Sequence, residues 1–263
     1  MIKGNFFDVL LVIPILNLLV LLYKGFLFLK LPGAFGWAII GLTIIIRFLL
    51  EPFFHKQFET MKKFNQLKPQ IDKLAKKYKN DQQKLQQEQL KLYQQVGINP
   101  ALGCLLPLVQ MPIFIALYNT LSLFLLNGNG VKVIEEINRV VYFSFLKITL
   151  IDPWFFGFNL ALSPAKSGQW YYLLIPLVTA FLQYYQTKLL TPTPTSEGLS
   201  LKKETSSQDN KEDFQKALNN QMKFMFPAMI AFISYSLPVG LALYWNIFSL
   251  MAIWQQKKLK VNN

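Results

Sequence analysis

Charge is scarce in this 263-residue chain: Asp, Glu, Lys and Arg make up 16% of it, against about 25% in an ordinary soluble domain. The deficit points to lipid as the surrounding solvent. Cys104 is the single cysteine, so no disulfide can close within the chain. His55 is the single histidine, which leaves no raw material for a multi-histidine zinc or haem site or for a Ser-His-Asp triad. No glycine-rich phosphate loop, metal-ligand spacing or pair of acids within an apolar run is present, so neither catalysis, a metal nor a cofactor is expected. No internal repeat is apparent, which argues against a solenoid. What the chain does have is 52% hydrophobic and 15% aromatic residues, mean hydropathy +0.29 and net charge +13. Disorder is excluded for most of its length, and the expected class is an all-α polytopic membrane protein.

A helix rises about 1.5 Å per residue, so a hydrocarbon layer ~30 Å thick needs roughly 20 apolar residues. Residues 1–33 hold one such run, expected as a helix that either spans the membrane or lies at its interface. Residues 34–55 hold a second, the first core span, which carries Arg47. Two more spans are expected within 98–190, joined by an extracytoplasmic loop at 127–169 in which 131–145 reads as one short helix. The aromatic cluster Trp170, Tyr171 and Tyr172 suits the headgroup level. Residues 222–256 are too long for one span and break at Leu237-Pro238-Val239-Gly240, giving two short core spans of about 16 residues each. Short spans thin the bilayer around them.

Between the first two core spans, Lys56 to Val96 carries ten lysines, four acids and ten glutamines. Apolar residues recur there at Met61, Phe64, Leu67, Ile71, Leu74 and Tyr78, then at Leu85, Leu92 and Val96, the spacing of an amphipathic helix. Asn80-Asp81 separates the runs, with Asp81 placed to N-cap the second. Residues 56–97 are therefore expected as a helical hairpin in water. Residues 191–221 read as a flexible loop, and 257–263 as a basic tail. The lysines place hairpin, loop and tail on the cytoplasmic side, with 127–169 and the Pro238 turn outside. No cleavable signal peptide is evident, since the first run is too long for an h-region.

Arg47 sits inside the apolar run IIIRFLL, where insertion costs about 2.5–3.5 kcal/mol if central. Three readings compete. Glu51, four residues on, can neutralise it as a structural ion pair. Its side chain can snorkel to the interface, although it lies some two turns before the polar stretch. Or it provides a cationic, wet cavity that holds something polar or anionic in transit. Thr43 one turn before it, Gln110, Asn119, Gln183 and Asn246 are polar span residues able to line such a cavity, with Tyr244 and Trp245 as amphipathic walls. Helix-to-helix hydrogen bonding explains each of these equally well. A small-anion transporter or channel using Arg47 is the alternative function, though transporters usually show paired repeats. A scaffold acting through the hairpin leaves Arg47 unexplained.

Three stretches are specific enough to carry a resemblance: GWAIIGLTIIIRFLLEP at 36–52, LKPQIDKLAKKYKNDQQKLQQEQLKLYQQVGINPALGCLLPLVQMPIFIALY at 67–118, and LPVGLALYWNIFSLMAIWQQ at 237–256. From Gly36 onward the chain closely resembles the YidC/Oxa/Alb membrane protein insertases. The resemblance implies a five-helix insertase core with a cytoplasmic helical hairpin and one additional N-terminal apolar helix. It implies an intramembrane groove open to cytoplasm and lipid and closed outside, made hydrophilic by Arg47 and lined by Thr43, Gln183 and Trp245. Lys62, Lys63, Lys68, Lys73, Lys76 and Lys77 then belong to a hairpin that recruits substrate. Implied partners are nascent membrane proteins and the lipid bilayer, with Sec translocon and ribosome beside them, and no DNA or small-molecule substrate. The implied location is the inner (plasma) membrane, multi-pass, with a cytoplasmic C-terminus. The sequence departs from the family in three ways: it lacks the large extracytoplasmic domain of the Gram-negative branch and so resembles the short, Gram-positive-like form, its tail is short, and Glu51 stands where an apolar residue is usual.

Overall fold

Long apolar runs have one way to satisfy their backbone in lipid, the helix, and helices dominate the structure. The computed structural model describes residues 4–78, 81–97, 101–125, 131–190 and 224–261. The loop expected at 191–221 lies outside the described residues. A π-helical turn, Asp8–Val12, runs directly into α1, Ile13–Phe28. Then follow α2 (Ala34–Leu49), α3 (Glu51–Lys77), α4 (Gln82–Gln95), α5 (Ala101–Leu125) and α6 (Val131–Val140). A two-stranded antiparallel hairpin, β1 (Trp154–Phe155) and β2 (Phe158–Asn159), precedes α7 (Pro164–Ser167) and α8 (Leu174–Leu190). The chain closes with α9 (Phe224–Ser236) and α10 (Val239–Val261).

Three boundaries differ from expectation. The first core span ends at Leu49, not at 55, and α3 starts at Glu51. Pro52 lacks the amide that a continuous helix would need, and the amides of Phe53 and Phe54 both turn back to the Leu50 carbonyl at 3.1 Å. The four-residue spacing from Arg47 to Glu51 therefore does not lie within one helix. The short helix foreseen at 131–145 stops at Val140, and a separate 3₁₀ turn covers Ser144–Leu146. Finally, α10 is 23 residues long rather than about 16, hence ~34 Å. Its polar end, Gln255 to Lys258, contains only good helix formers and simply continues the helix. Of the two short spans expected to thin the bilayer, α10 is not one.

The chain divides into two compact units, Met1–Arg47 with Ala116–Asn263, and Phe48–Ile115. The second holds the hairpin. Asp81 caps α4, its Oδ1 accepting the Lys84 amide at 3.0 Å. Phe64 on α3 meets Tyr93 on α4 edge to face, 5.3 Å between centroids, beside the buried Leu67.

In the first unit, the π-helical turn and α1 together bury Val12, Leu16, Leu19, Val20 and Tyr23, a three-to-four spacing that makes one face. Phe35 of α2 packs on Tyr23 and on Phe124 of α5, at 5.7 and 5.5 Å between centroids. Gly36 makes room for Phe155: a Cβ there would fall on the ring. The first amides of α10 have no partner within their own helix. Val239 and Gly240 donate instead to the carbonyls of Leu162 and Leu160, both at 2.9 Å.

Polarity in this unit is reversed relative to a water-soluble bundle. On α8 and α9 the exposed residues include Leu174, Leu177, Val178, Phe181, Met225, Met229, Phe232 and Ile233, while Thr179, Gln183 and Ser234 are buried. Apolar exposure on this scale marks contact with another apolar phase, and the buried polar groups are the informative ones. The fold is that of an all-α membrane protein.

Candidate functional site

The buried polar residues converge on α10. On α2, Thr43 and Arg47 are four residues apart and so share a face; both are buried, Arg47 to 2% exposure. Thr43 spends its hydroxyl on its own helix, donating to the Ile39 carbonyl at 2.7 Å. Arg47 reaches across. Its Nε donates to Gln255 Oε1 at 2.8 Å, and its guanidinium carbon lies 4.5 Å from the centroid of the Phe248 ring. Phe248 and Gln255 are seven residues apart, two turns along one face of α10, and both groups are neutral. One turn before Phe248 stands the buried Tyr244, with 6.0 Å between the rings.

A second polar connection joins α8, α9 and α10. Trp245 Nε1 donates to Gln183 Oε1 at 3.2 Å. One turn earlier on α8, Thr179 and Ser234 of α9 exchange a hydrogen bond of 3.2 Å. Close helix-to-helix hydrogen bonds of this type hold membrane bundles together.

Several buried polar side-chain atoms of α10 find no partner among the described residues: Asn246 Oδ1, Gln255 Nε2, and both Oε1 and Nε2 of Gln256. Each such group costs about 1–3 kcal/mol if left dry, so water or a polar ligand is its natural complement. Arg47 and Gln255 meet on one face of α10, with Gln256 the next residue along, whereas Asn246, nine residues before Gln255, lies on the opposite face of the helix.

Arg47, Tyr244 and, through α10, Trp245 with Gln183 are thus brought onto one buried polar strip. Asn246 is buried on α10. Gln110 and Lys68 lie on described helices, but their side chains fall outside the described set. Lys62, Lys63, Lys73, Lys76 and Lys77 are exposed on α3 in the other unit. Sequence reasoning missed Phe248, Gln255 and Gln256. The signal was available in the spacing Trp245, Phe248, Ala252, Gln255, a continuous face of α10.

The chain matches known proteins over most of its length. The family model described as 60Kd inner membrane protein matches residues 27–263. The chain is 31% identical over 227 residues to the membrane protein insertase YidC of Fusobacterium nucleatum, covering 86% of each. It is 32% identical to the inner membrane ALBINO3-like protein 2, chloroplastic, of Chlamydomonas reinhardtii, over 88% of this chain and 51% of that protein. Against the YidC of Caulobacter vibrioides NA1000 the identity is 31%, over 95% of this chain but 37% of the relative. The chain thus spans about half the length, or less, of some curated relatives and most of another. A crystal structure of active YidC insertase with its first transmembrane domain resolved superposes with a TM-score of 0.54 at 26% identity, over 96% of this chain and 46% of that one.

Proposed function

Because the chain belongs to the 60Kd inner membrane protein family, that of the YidC, Oxa and Alb proteins, we propose that it is a membrane protein insertase whose buried polar strip on α2, α8 and α10 receives the short polar flank of an incoming membrane protein. The observation that carries this reading is Arg47, 2% exposed and held by an amide and an aromatic ring. A cation so placed lowers the cost of bringing an acidic flank part-way through the bilayer. Gln255 Nε2 and Gln256 Nε2 offer it spare hydrogen-bond donors.

Insertion of this kind is a partitioning event, without a covalent step. The client's apolar segment leaves into lipid, and burial of its surface supplies the driving force, with the membrane potential acting on negative flanks. The exposed apolar faces of α8 and α9 suit that exit. The lysine density of 56–96 and of the C-terminal tail supports a cytoplasmic position for both. The exposed lysines of α3, Lys62, Lys63, Lys73, Lys76 and Lys77, offer positive charge to acidic flanks. The experiment is depletion of the protein in its host followed by a protease-protection assay on small membrane proteins with acidic translocated tails. Loss of protection, restored by the wild-type chain, supports the reading; unaltered protection of every client refutes it.

A further inference from the structure

Two neutral groups grip Arg47. Its Nε donates to Gln255 Oε1 at 2.8 Å, and the Phe248 ring centroid lies 4.5 Å from its guanidinium carbon. Guanidinium nitrogens only donate, so the Gln255 amide must turn its oxygen to Arg47 and its NH2 elsewhere. That NH2, Gln255 Nε2, is buried and finds no partner among the described residues. One side chain therefore offers two things: an acceptor that fixes the cation, and beside it, on the same carbon, a donor left over.

An amide at this position is informative. A Glu at 255, nearly the size of Gln, would bond the guanidinium more strongly, but it would cancel the charge. Acids are kept out of the surrounding helices altogether: α2, α8, α9 and α10 contain no Asp or Glu, although the chain has 14. Leu or Met at 255 would suit an apolar shell and leave the Arg47 Nε proton without this acceptor. Gln holds the group and adds no charge of its own. The Ala34 end of α2 and the Val239 end of α10 both meet the segment 154–162. Measured from those ends, Arg47 lies ~20 Å along α2 and Gln255 ~24 Å along α10. The pair thus sits deep on both helices, toward the end of α10 that carries Lys257 and Lys258.

We propose that Gln255 sets the charge preference of client entry: it positions Arg47 without neutralising it, and its Nε2 joins the guanidinium as a second donor to a carboxylate in the client's flank. The partner is an acidic peptide segment, because carboxylate oxygens only accept and meet here two groups that only donate. An ammonium in the flank meets the same two donors and gains no acceptor from either. The inference rests on Arg47 receiving acidic flanks, the reading proposed above.

The test uses the full chain in its depleted host, with single-span clients whose translocated flank carries two Asp or, at the same positions, two Asn. Protease protection gives the Asp-to-Asn ratio of insertion, and thermal unfolding in nanodiscs is measured alongside. Gln255→Glu should lower that ratio severalfold while melting no lower than the wild type. Gln255→Met, which keeps the charge but loses both grip and donor, should lower it less. A residue that merely braces Arg47 gives the reverse order, since Glu is then the better brace and Met the worse. A wild-type ratio in Gln255→Glu, or a larger fall in Gln255→Met, overturns the proposal. So does a marked loss of melting temperature in Gln255→Glu, because the geometry seats that carboxylate on a guanidinium. Arg47→Ala separates the two claims. If it erases the ratio and Gln255→Glu leaves it unaltered, only the role of Gln255 falls; a ratio indifferent to Arg47→Ala removes the acidic-flank reading and this inference with it.

Discussion

Replacing Arg47 by alanine separates a structural from a functional charge. The substitution removes a hydrogen bond from a charged donor, about 1.5–3 kcal/mol, and a guanidinium–ring contact with Phe248 of about 0.5–2 kcal/mol. Against this, a cation 2% exposed no longer has to be desolvated, a release of several kcal/mol. The opposing contributions nearly cancel, so the net change in stability is expected within about 2 kcal/mol, a melting shift below ~8 °C for a chain of this size. Thermal unfolding in nanodiscs reads this, while protease protection of co-expressed clients reads insertion. Arg47→Ala should impair clients with acidic translocated flanks most, and Arg47→Lys should keep most activity because an ammonium still meets a carboxylate. The reasoning fails if Arg47→Ala melts far lower and a further Glu51→Ala change restores both stability and insertion. That pattern would make Arg47 the structural partner of an acid.

Three further outcomes follow from local geometry. Gly36→Ala puts a methyl group onto the Phe155 ring, so overpacking should cost about 1–3 kcal/mol in thermal unfolding, and Phe155→Ala in the same chain should relieve it. In the hairpin, a 2.7 Å hydrogen bond from Lys91 holds the Glu88 carboxyl below its ordinary range, and Glu88 holds the Lys91 ammonium above its own. The Glu88 contribution is present above the unfolded value of about 4.3 and lost as pH falls through the lower folded value. The Lys91 contribution is present below the unfolded value of about 10.4 and lost as pH rises through the higher folded one. Backbone chemical shifts of α4 should show both losses, small and salt-sensitive because both groups are exposed, and Glu88→Gln should abolish them. For sidedness, cysteines at Lys76 and Lys258 in a Cys104-free chain should resist a membrane-impermeant thiol reagent in intact cells, whereas one at Lys166 should label; labelling at Lys76 would reverse the orientation.

Much of the helical framework was legible because lipid leaves the backbone little choice. The runs around Leu16 and Ile39 announce helices by composition, Asp81 announces a cap, and Pro238 announces the break before α10. Arg47 stood out because a charge in an apolar run is expensive. What could not be read was set by partners distant in sequence. The end of α6 at Val140 depends on Asn17, whose side chain bonds the Val140 carbonyl and the Tyr142 amide, and the β1–β2 hairpin, only two residues per strand, depends on Phe155 meeting Gly36. Leu50 was hidden by an apolar run that continues through Phe54, although Pro52 marked the interruption. Gln255, at the end of the 222–256 run, was not singled out because hydropathy does not distinguish a polar residue facing a polar interior from one facing water. Thr43 was expected beside Arg47 and lies there, yet its hydroxyl is committed to Ile39.

The most direct measurement of the central claim is site-specific crosslinking of a translation-arrested client. A photoreactive residue at Trp245, beside Gln183 on the polar strip, should capture the client's acidic flank, and the yield should fall when Arg47→Ala is combined with it. The same residue at Phe232, on the exposed apolar face of α9, should capture the client's apolar segment instead. Capture of the flank at Phe232 and never at Trp245, with no dependence on Arg47, would contradict a polar route through this strip.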